Sequence, residues 1–176
     1  EITGPPAGAV AVVNPKLGDD VSARMLAGVG VAFKVCHALL KAGRDRRLAV
    51  AETVDLRDYL DLVALGTIAD VVPLLHENRI LARHGLTCLN GTGRVGLRAL
   101  ADVAGVSGEM GAYHVGFVLG PRINAAGRMG QAEAALELLL TDEPSRAREL
   151  AASLDASNRE RKRIETEITE AAIARI

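Results

Sequence analysis

The chain has 176 residues, with 21 basic and 22 acidic side chains and a net charge of −1, which excludes a global basic field for nucleic acid and makes any such contact local. Hydrophobic residues are 49% and aromatic residues 2%. That suits one globular domain burying roughly 70% of its unfolded surface, excludes a base-stacking platform of the single-strand-binding type, and leaves no apolar run of membrane-spanning length.

In chain order, the apolar run GAVAVV at 8–13, ending in Asn14-Pro15, predicts a buried strand and a turn. Residues 16–24 read as loop. Residues 26–41 predict a helix, with Gly43 as its C-terminal stop. Gly28 and Gly30 form a lone GxG, too weak for a phosphate loop, so close helix packing is the expectation for both. His37 reads as a partly buried helix histidine. Residues 42–47 are basic and turn-like.

Residues 55–74 are the centre of the pattern. Leu60, Val63, Ala64, Thr67, Ile68 and Val71 recur at helical spacing, predicting one helix with one apolar face. Asp55 suits its N-cap and Pro73 its end. Asp70 falls in the last turn in apolar company, where the helix dipole opposes a carboxylate and burial disfavours its charge. Gly66 is expected to leave open space on the same side. Taken alone, Asp70 is either an ordinary surface aspartate or one compensated by a base, a proton or a metal ion.

Further helices are predicted at 77–89, 95–104, 111–119 and 131–140, with loops at 90–93 and 105–108. Tyr113 and Phe117, one turn apart, read as core. Gly120-Pro121 is expected to break its helix, leaving PRINAAGRM at 121–129 as a loop. Thr141 or Asp142 is expected to cap a last helix with Pro144 in its first turn, running uninterrupted to 176. Its length and its Arg159, Glu160, Arg163 and Glu167 face predict a solvated spacer between domains. Cys36 and Cys88 show no ligand spacing and are expected to be buried thiols in a reducing cytoplasm. One strand among many helices cannot form a sheet. The expectation is therefore the middle of a longer protein, starting after most of a sheet.

Four stretches resemble one family: LAGVGVAF at 26–33, DLVALGTIADVVPL at 61–74 with ENR at 77–79, GPRINAAGRM at 120–129, and LDASNRERK from 154. They resemble the RecJ branch of the DHH phosphoesterase superfamily, the single-strand-specific DNA exonucleases. The resemblance implies an α/β fold class, here the C-terminal, mainly helical part of a DHH-type phosphoesterase domain ending in a long inter-domain connecting helix. It implies residues 1–142 as part of the catalytic core and 143–176 as the connecting helix. The Asp-His-His motif and upstream aspartates would precede this stretch, and a glycine-rich DNA-binding domain would follow it.

The resemblance also implies 5′→3′ hydrolysis of single-stranded DNA to mononucleotides in repair and recombination, assisted by Mn2+ or Mg2+. It makes Asp70 a metal ligand and catalytic residue. Arg128 would act on the scissile phosphate, and Arg122 and Asn124 would bind nucleic acid beside it, since guanidinium groups grip phosphate oxygens in bidentate fashion. The small Ala125, Ala126 and Gly127 would let a strand backbone approach. Implied partners are single-stranded DNA, a single-stranded-DNA-binding protein and a recombination helicase, with no membrane; the implied state is a cytoplasmic monomer. With one metal ligand and one strand, the chain alone is expected to be inactive and marginally folded. Two other readings are a degenerate relative that binds single strands or replication partners without cutting, and a DHH phosphatase or short-oligonucleotide nuclease.

Overall fold

The structure, a computed structural model, describes residues 8–128, 130 and 132–175; of Arg128 it describes the backbone and not the side chain. Among the described residues there is no strand. The run at 8–13 is irregular and exposed, so the α/β expectation gives way to an all-helical description. A backbone run with no partner strand cannot satisfy its own donors and acceptors as sheet.

A 3-10 turn (Pro15–Leu17) and a short helix α1 (Val21–Arg24) lead into α2 (Gly28–Asp45). α2 runs past Gly43, which is buried where a Cβ would stand 2.7 Å from Ala51 Cβ. Gly43 therefore admits α3 (Ala49–Thr53) instead of ending α2, and the chain turns at Arg47 in the left-handed region (φ 56°).

The stretch expected as one helix is two elements. A 3-10 turn (Leu56–Tyr59), capped by Asp55, enters α4 (Leu60–Ala69). Asp61, Val63, Ala64, Leu65, Thr67 and Ile68 are all buried, so α4 is apolar nearly all round and is a central helix, not an amphipathic one. α5 (His76–Asn90) packs along it. Gly85 makes that possible: its Cβ would collide with the Leu60 carbonyl oxygen and stand 2.5 Å from Ala64 Cβ. The expected space at Gly66 is filled, because a Cβ there would be 2.8 Å from Val29 Cγ1 of α2. Asp61, buried in α4, accepts from Thr92 Oγ1 at 2.7 Å and from Arg94 Nε at 3.1 Å. The loop at 90–93 is thus tied down by a charge-assisted network.

α6 (Val95–Val103) follows, then a helical stretch that widens into π-helix at His114–Leu119 and continues as α7 (Gly120–Arg128). Pro121 does not break it. Proline removes one backbone donor and crowds the carbonyl four residues back, and a π-turn immediately before it accommodates both. The expected loop PRINAAGRM is therefore helical through Arg128; Met129 lies outside the described residues. Ala125 and Ala126 are fully buried, and α7 packs on α9 (Pro144–Ile173). Tyr113 and Phe117 stack at 5.4 Å between ring centroids. They are 67% and 70% exposed, surface residues and not core.

α8 (Ala132–Leu140) leads to α9, which is capped by Glu143, not by Thr141 or Asp142. Its first half is not a spacer. Ala147, Leu150, Ala151, Leu154, Asp155 and Asn158 are buried against α6, α7 and α8. From Arg159 onward it is mostly exposed, with Arg163 paired to Glu160 and Glu167. Cys36 is exposed and Cys88 half-buried, so neither is the buried thiol expected. The core joins α4–α9 through Leu65, Leu97, Leu100, Val115, Leu119 and Leu138. Among the described residues no helix is long and apolar enough to cross a membrane.

Candidate functional site

Asp70 stands at the C-cap of α4, its N–H donating to Gly66 O at 3.0 Å. Its side chain is exposed, so the apolar company read from the sequence is replaced by solvent on that side. The chain turns away at once: Val71 is left-handed (φ 56°), and His76 is left-handed too (φ 46°). A β-branched residue there is strained by about 1–3 kcal/mol and is held by its surroundings.

Two helices, α7 and α2, converge on this end of α4. Gly120, at the start of α7, approaches so closely that its Cβ would stand 2.9 Å from Ala69 Cβ. α2 begins at Gly28 with no side-chain cap. Together they form a cleft of about 550 Å3 with Ala27, Gly28 and Val29 on one wall, Gly66, Ala69 and Asp70 on the second, and Ile123 and Asn124 on the third. The cleft so joins the positive start of α2 to the negative end of α4, where Asp70 adds a full charge. Gly28 has open space around its Cα while Gly30 is packed on Leu26, so close packing explains only the second glycine.

The four expected site residues separate. Asp70 and Asn124 share the cleft. Arg122 does not line it; its Nε donates to Asp155 Oδ1 at 2.9 Å and its Nη1 to Val118 O at 2.6 Å. Asp155 also pairs with Arg159 at 2.9 Å. Arg122 therefore ties α7 to α9, joining the GPRINAAGRM and LDASNRERK stretches. Arg128 ends α7, and its side chain lies outside the described residues. Among the described residues no group of three or more His, Cys, Asp or Glu could hold a metal ion; an exposed aspartate offers one hard oxygen ligand of the kind Mn2+ and Mg2+ take.

Two residues in the matched stretches escaped the sequence reading. Asp155 is the partner of Arg122. Asn78, in ENR, is buried and donates through Nδ2 to Met25 O at 2.7 Å and Pro73 O at 3.0 Å. A polar residue on the inner face of a helix was the available signal in both.

No family model matches the chain. Relatives do. It is 45% identical over 165 residues, 93% of its length, to the single-stranded-DNA-specific exonuclease RecJ of Bacillus subtilis. It is 45% identical over 166 residues to the RecJ of Escherichia coli. Among solved structures it resembles an exonuclease RecJ bound to manganese (TM-score 0.77, 38% identity, 92% of this chain and 39% of that one). It also resembles RecJ in complex with Mn2+ from Thermus thermophilus (TM-score 0.75, 39% identity, 89% of this chain and 22% of that one). The chain spans 20% and 28% of the lengths of the two curated relatives.

The helical framework matches the RecJ structures and fits a DHH-type domain. Over the span it covers, the chain is homologous to the RecJ exonucleases and corresponds to part of their length.

Proposed function

We propose that this chain is the helical part of the catalytic core of a metal-dependent 5′→3′ single-stranded-DNA exonuclease, releasing mononucleotides in repair and recombination. The observation that carries this is the cleft in which Asp70 and Asn124, from two separately matched stretches, come together. In this reading residues 1–142 belong to the core and 143–176 lead toward a further domain, with the exposed second half of α9 as the connector. The exposed apolar residues of α2, Leu39 among them, support a larger core around the chain. Single-stranded DNA is the substrate, with a single-stranded-DNA-binding protein and a recombination helicase as partners of a cytoplasmic monomer.

Asp70 supplies one anionic oxygen to Mn2+ or Mg2+, with the remaining ligands outside the described residues. When bound, such an ion lowers the pKa of a water and offsets charge on the scissile phosphate. The chain's own residues orient the substrate. Asn124 donates its amide to a phosphate or sugar oxygen across the cleft from Asp70. Arg128, where α7 ends, offers its guanidinium to the scissile phosphate. Arg122, bound to Asp155, holds α7 in place, and its contribution to nucleic-acid binding runs through that helix.

The test is turnover on labelled single-stranded DNA with Mn2+ in the full-length protein. Asp70→Asn is expected to reduce turnover by orders of magnitude while DNA binding survives. Arg128→Ala is expected to lower kcat more than affinity, since the charge it meets grows toward the transition state. Near-normal turnover of Asp70→Asn at saturating Mn2+ refutes the assignment. The 176-residue chain alone is expected to release no nucleotide.

A further inference from the structure

Asn78 is 1% exposed and lies in the first turn of α5, outside the cleft. Its amide nitrogen reaches two carbonyl oxygens from segments far apart in sequence: Met25 O at 2.7 Å and Pro73 O at 3.0 Å. With two carbonyls on one side, the amide has only one sensible orientation, because its oxygen cannot donate. That oxygen has no partner among the described residues.

The two carbonyls belong to segments that adjoin, in sequence, two walls of the Asp70 cleft. Met25 lies two residues before Ala27, where the α2 wall begins, and Pro73 lies three residues after Asp70. The segment from Val71 to His76 starts and ends in left-handed residues, neither a glycine. Such a segment keeps its shape only where surrounding contacts over-determine it. Val71 is exposed and contributes little packing of its own. The bond to Pro73 O falls between the two strained positions, and the bond to Met25 O ties the same amide to the C-cap of α1, just before α2 begins.

We infer that Asn78 is a positioning residue for Asp70: by bridging Met25 O and Pro73 O it sets the distance between the α2 wall and the carboxylate that takes the metal. This rests on the metal role proposed above. Asn78 touches neither substrate nor ion. Removing its amide frees the 71–75 segment to relax its backbone, and Asp70 loses the orientation that its neighbours impose.

The experiment uses the full-length protein with Asn78→Ala and the milder Asn78→Ser, which keeps one donor. Hydrogen exchange is measured at amides 71, 72, 74 and 75, with amides 62–66 of α4 as the internal reference. Mn2+ binding is titrated by electron paramagnetic resonance of the free ion, and kcat and KM for single-stranded DNA are measured well below the melting temperature. The expected result for Asn78→Ala is faster exchange confined to 71–75, Mn2+ affinity weaker by about tenfold, as for residues that orient metal ligands, and a fall in kcat with KM unchanged. Asn78→Ser should fall between Asn78→Ala and wild type. Unchanged exchange and Mn2+ affinity in both variants overturns the inference. Exchange rising equally at 62–66 also overturns it, because Asn78 would then serve only the fold. A wild-type protein that neither binds Mn2+ nor cuts DNA sinks the functional reading itself, an outcome visible before any variant is compared.

Discussion

α4 and α2 are both rich in apolar residues, and they end up in opposite environments. α4 buries Val63, Ala64, Leu65 and Ile68 within ten residues, flanked by α2, α5, α7 and the π-turn. α2, at eighteen residues, buries only Gly30 and Gly43. Its Ala32, Cys36 and Leu39 are exposed, and an apolar cleft of about 490 Å3 opens between Cys36, Leu39, Leu40, Tyr59 and Leu62. The difference lies in the glycines. Gly85 and Gly120 bring neighbouring backbones against α4, while the close approach to α2 is confined to Val29 at Gly66 and Ala51 at Gly43. A helix's burial is thus set by which neighbours can come near, and composition alone does not report it.

The largest test of this contrast is at the glycines. Gly85→Val places a side chain against the Leu60 carbonyl and Ala64, and should cost more than about 3 kcal/mol, beyond the usual overpacking range. Gly28→Ala, with no heavy atom within 4 Å of the new Cβ, should lie within about 0.5 kcal/mol of wild type. Urea midpoints of the full-length protein decide between them, and equal losses would remove the explanation. Next are the leucines. Leu65→Ala in α4, at 4% exposure, should cost about 2–5 kcal/mol. Leu39→Ala in α2, at 66%, should cost under about 0.5 kcal/mol. A large loss at Leu39 would mean that α2 is covered in solution. Smaller still is Thr67→Val. The Thr67 hydroxyl is fully buried in α4 and has no hydrogen-bond partner among the described residues, so the isosteric methyl should stabilise by about 1 kcal/mol. A loss on that substitution would show that the hydroxyl is satisfied.

Most of the helices were legible because apolar periodicity and turn residues are local signals. What failed was non-local. Pro121 reads as a helix break until the π-turn before it is known. PRINAAGRM reads as a loop because its small residues look permissive, yet Ala125 and Ala126 are fully buried in a helix that packs on α9. Arg122 reads as a free phosphate ligand because Asp155, its partner, is 33 residues away. Tyr113 and Phe117 read as core because rings usually are, and here they stack on the surface. Asn78 shows only as a polar residue on the inner face of α5; its meaning depends on two carbonyls from other segments. At the cleft Asp70 and Asn124 come together, and the α2 wall comes from the LAGVGVAF stretch, whose residues by themselves read as no more than a weak GxG.

The smallest expected effect concerns how the two helices begin. α2 starts at Ala27 with no side-chain cap. The turn into α4 starts at Asp55, whose carboxylate accepts from Arg57 Nη2 at 2.5 Å and from Arg57 N at 2.9 Å. The Arg57 side chain first, and its backbone N–H second, hold the Asp55 carboxyl down at about 2, against 3.8 ordinarily. Between those values the unfolded chain binds the proton and the folded chain does not, so stability rises with pH across that window. The contribution is complete above about pH 4 and disappears as pH falls toward 2. Asp55 is half-exposed beside an exposed Arg57 and the pair is open to salt, so the effect should be slight and weaker in 1 M salt. Asp55→Asn keeps an acceptor for Arg57 N and removes the charge. Its deficit against wild type should be constant from pH 6 to 4 and close as pH falls to 2. A deficit unchanged across the whole range would assign the cap to its hydrogen bond alone and leave the charge without a role.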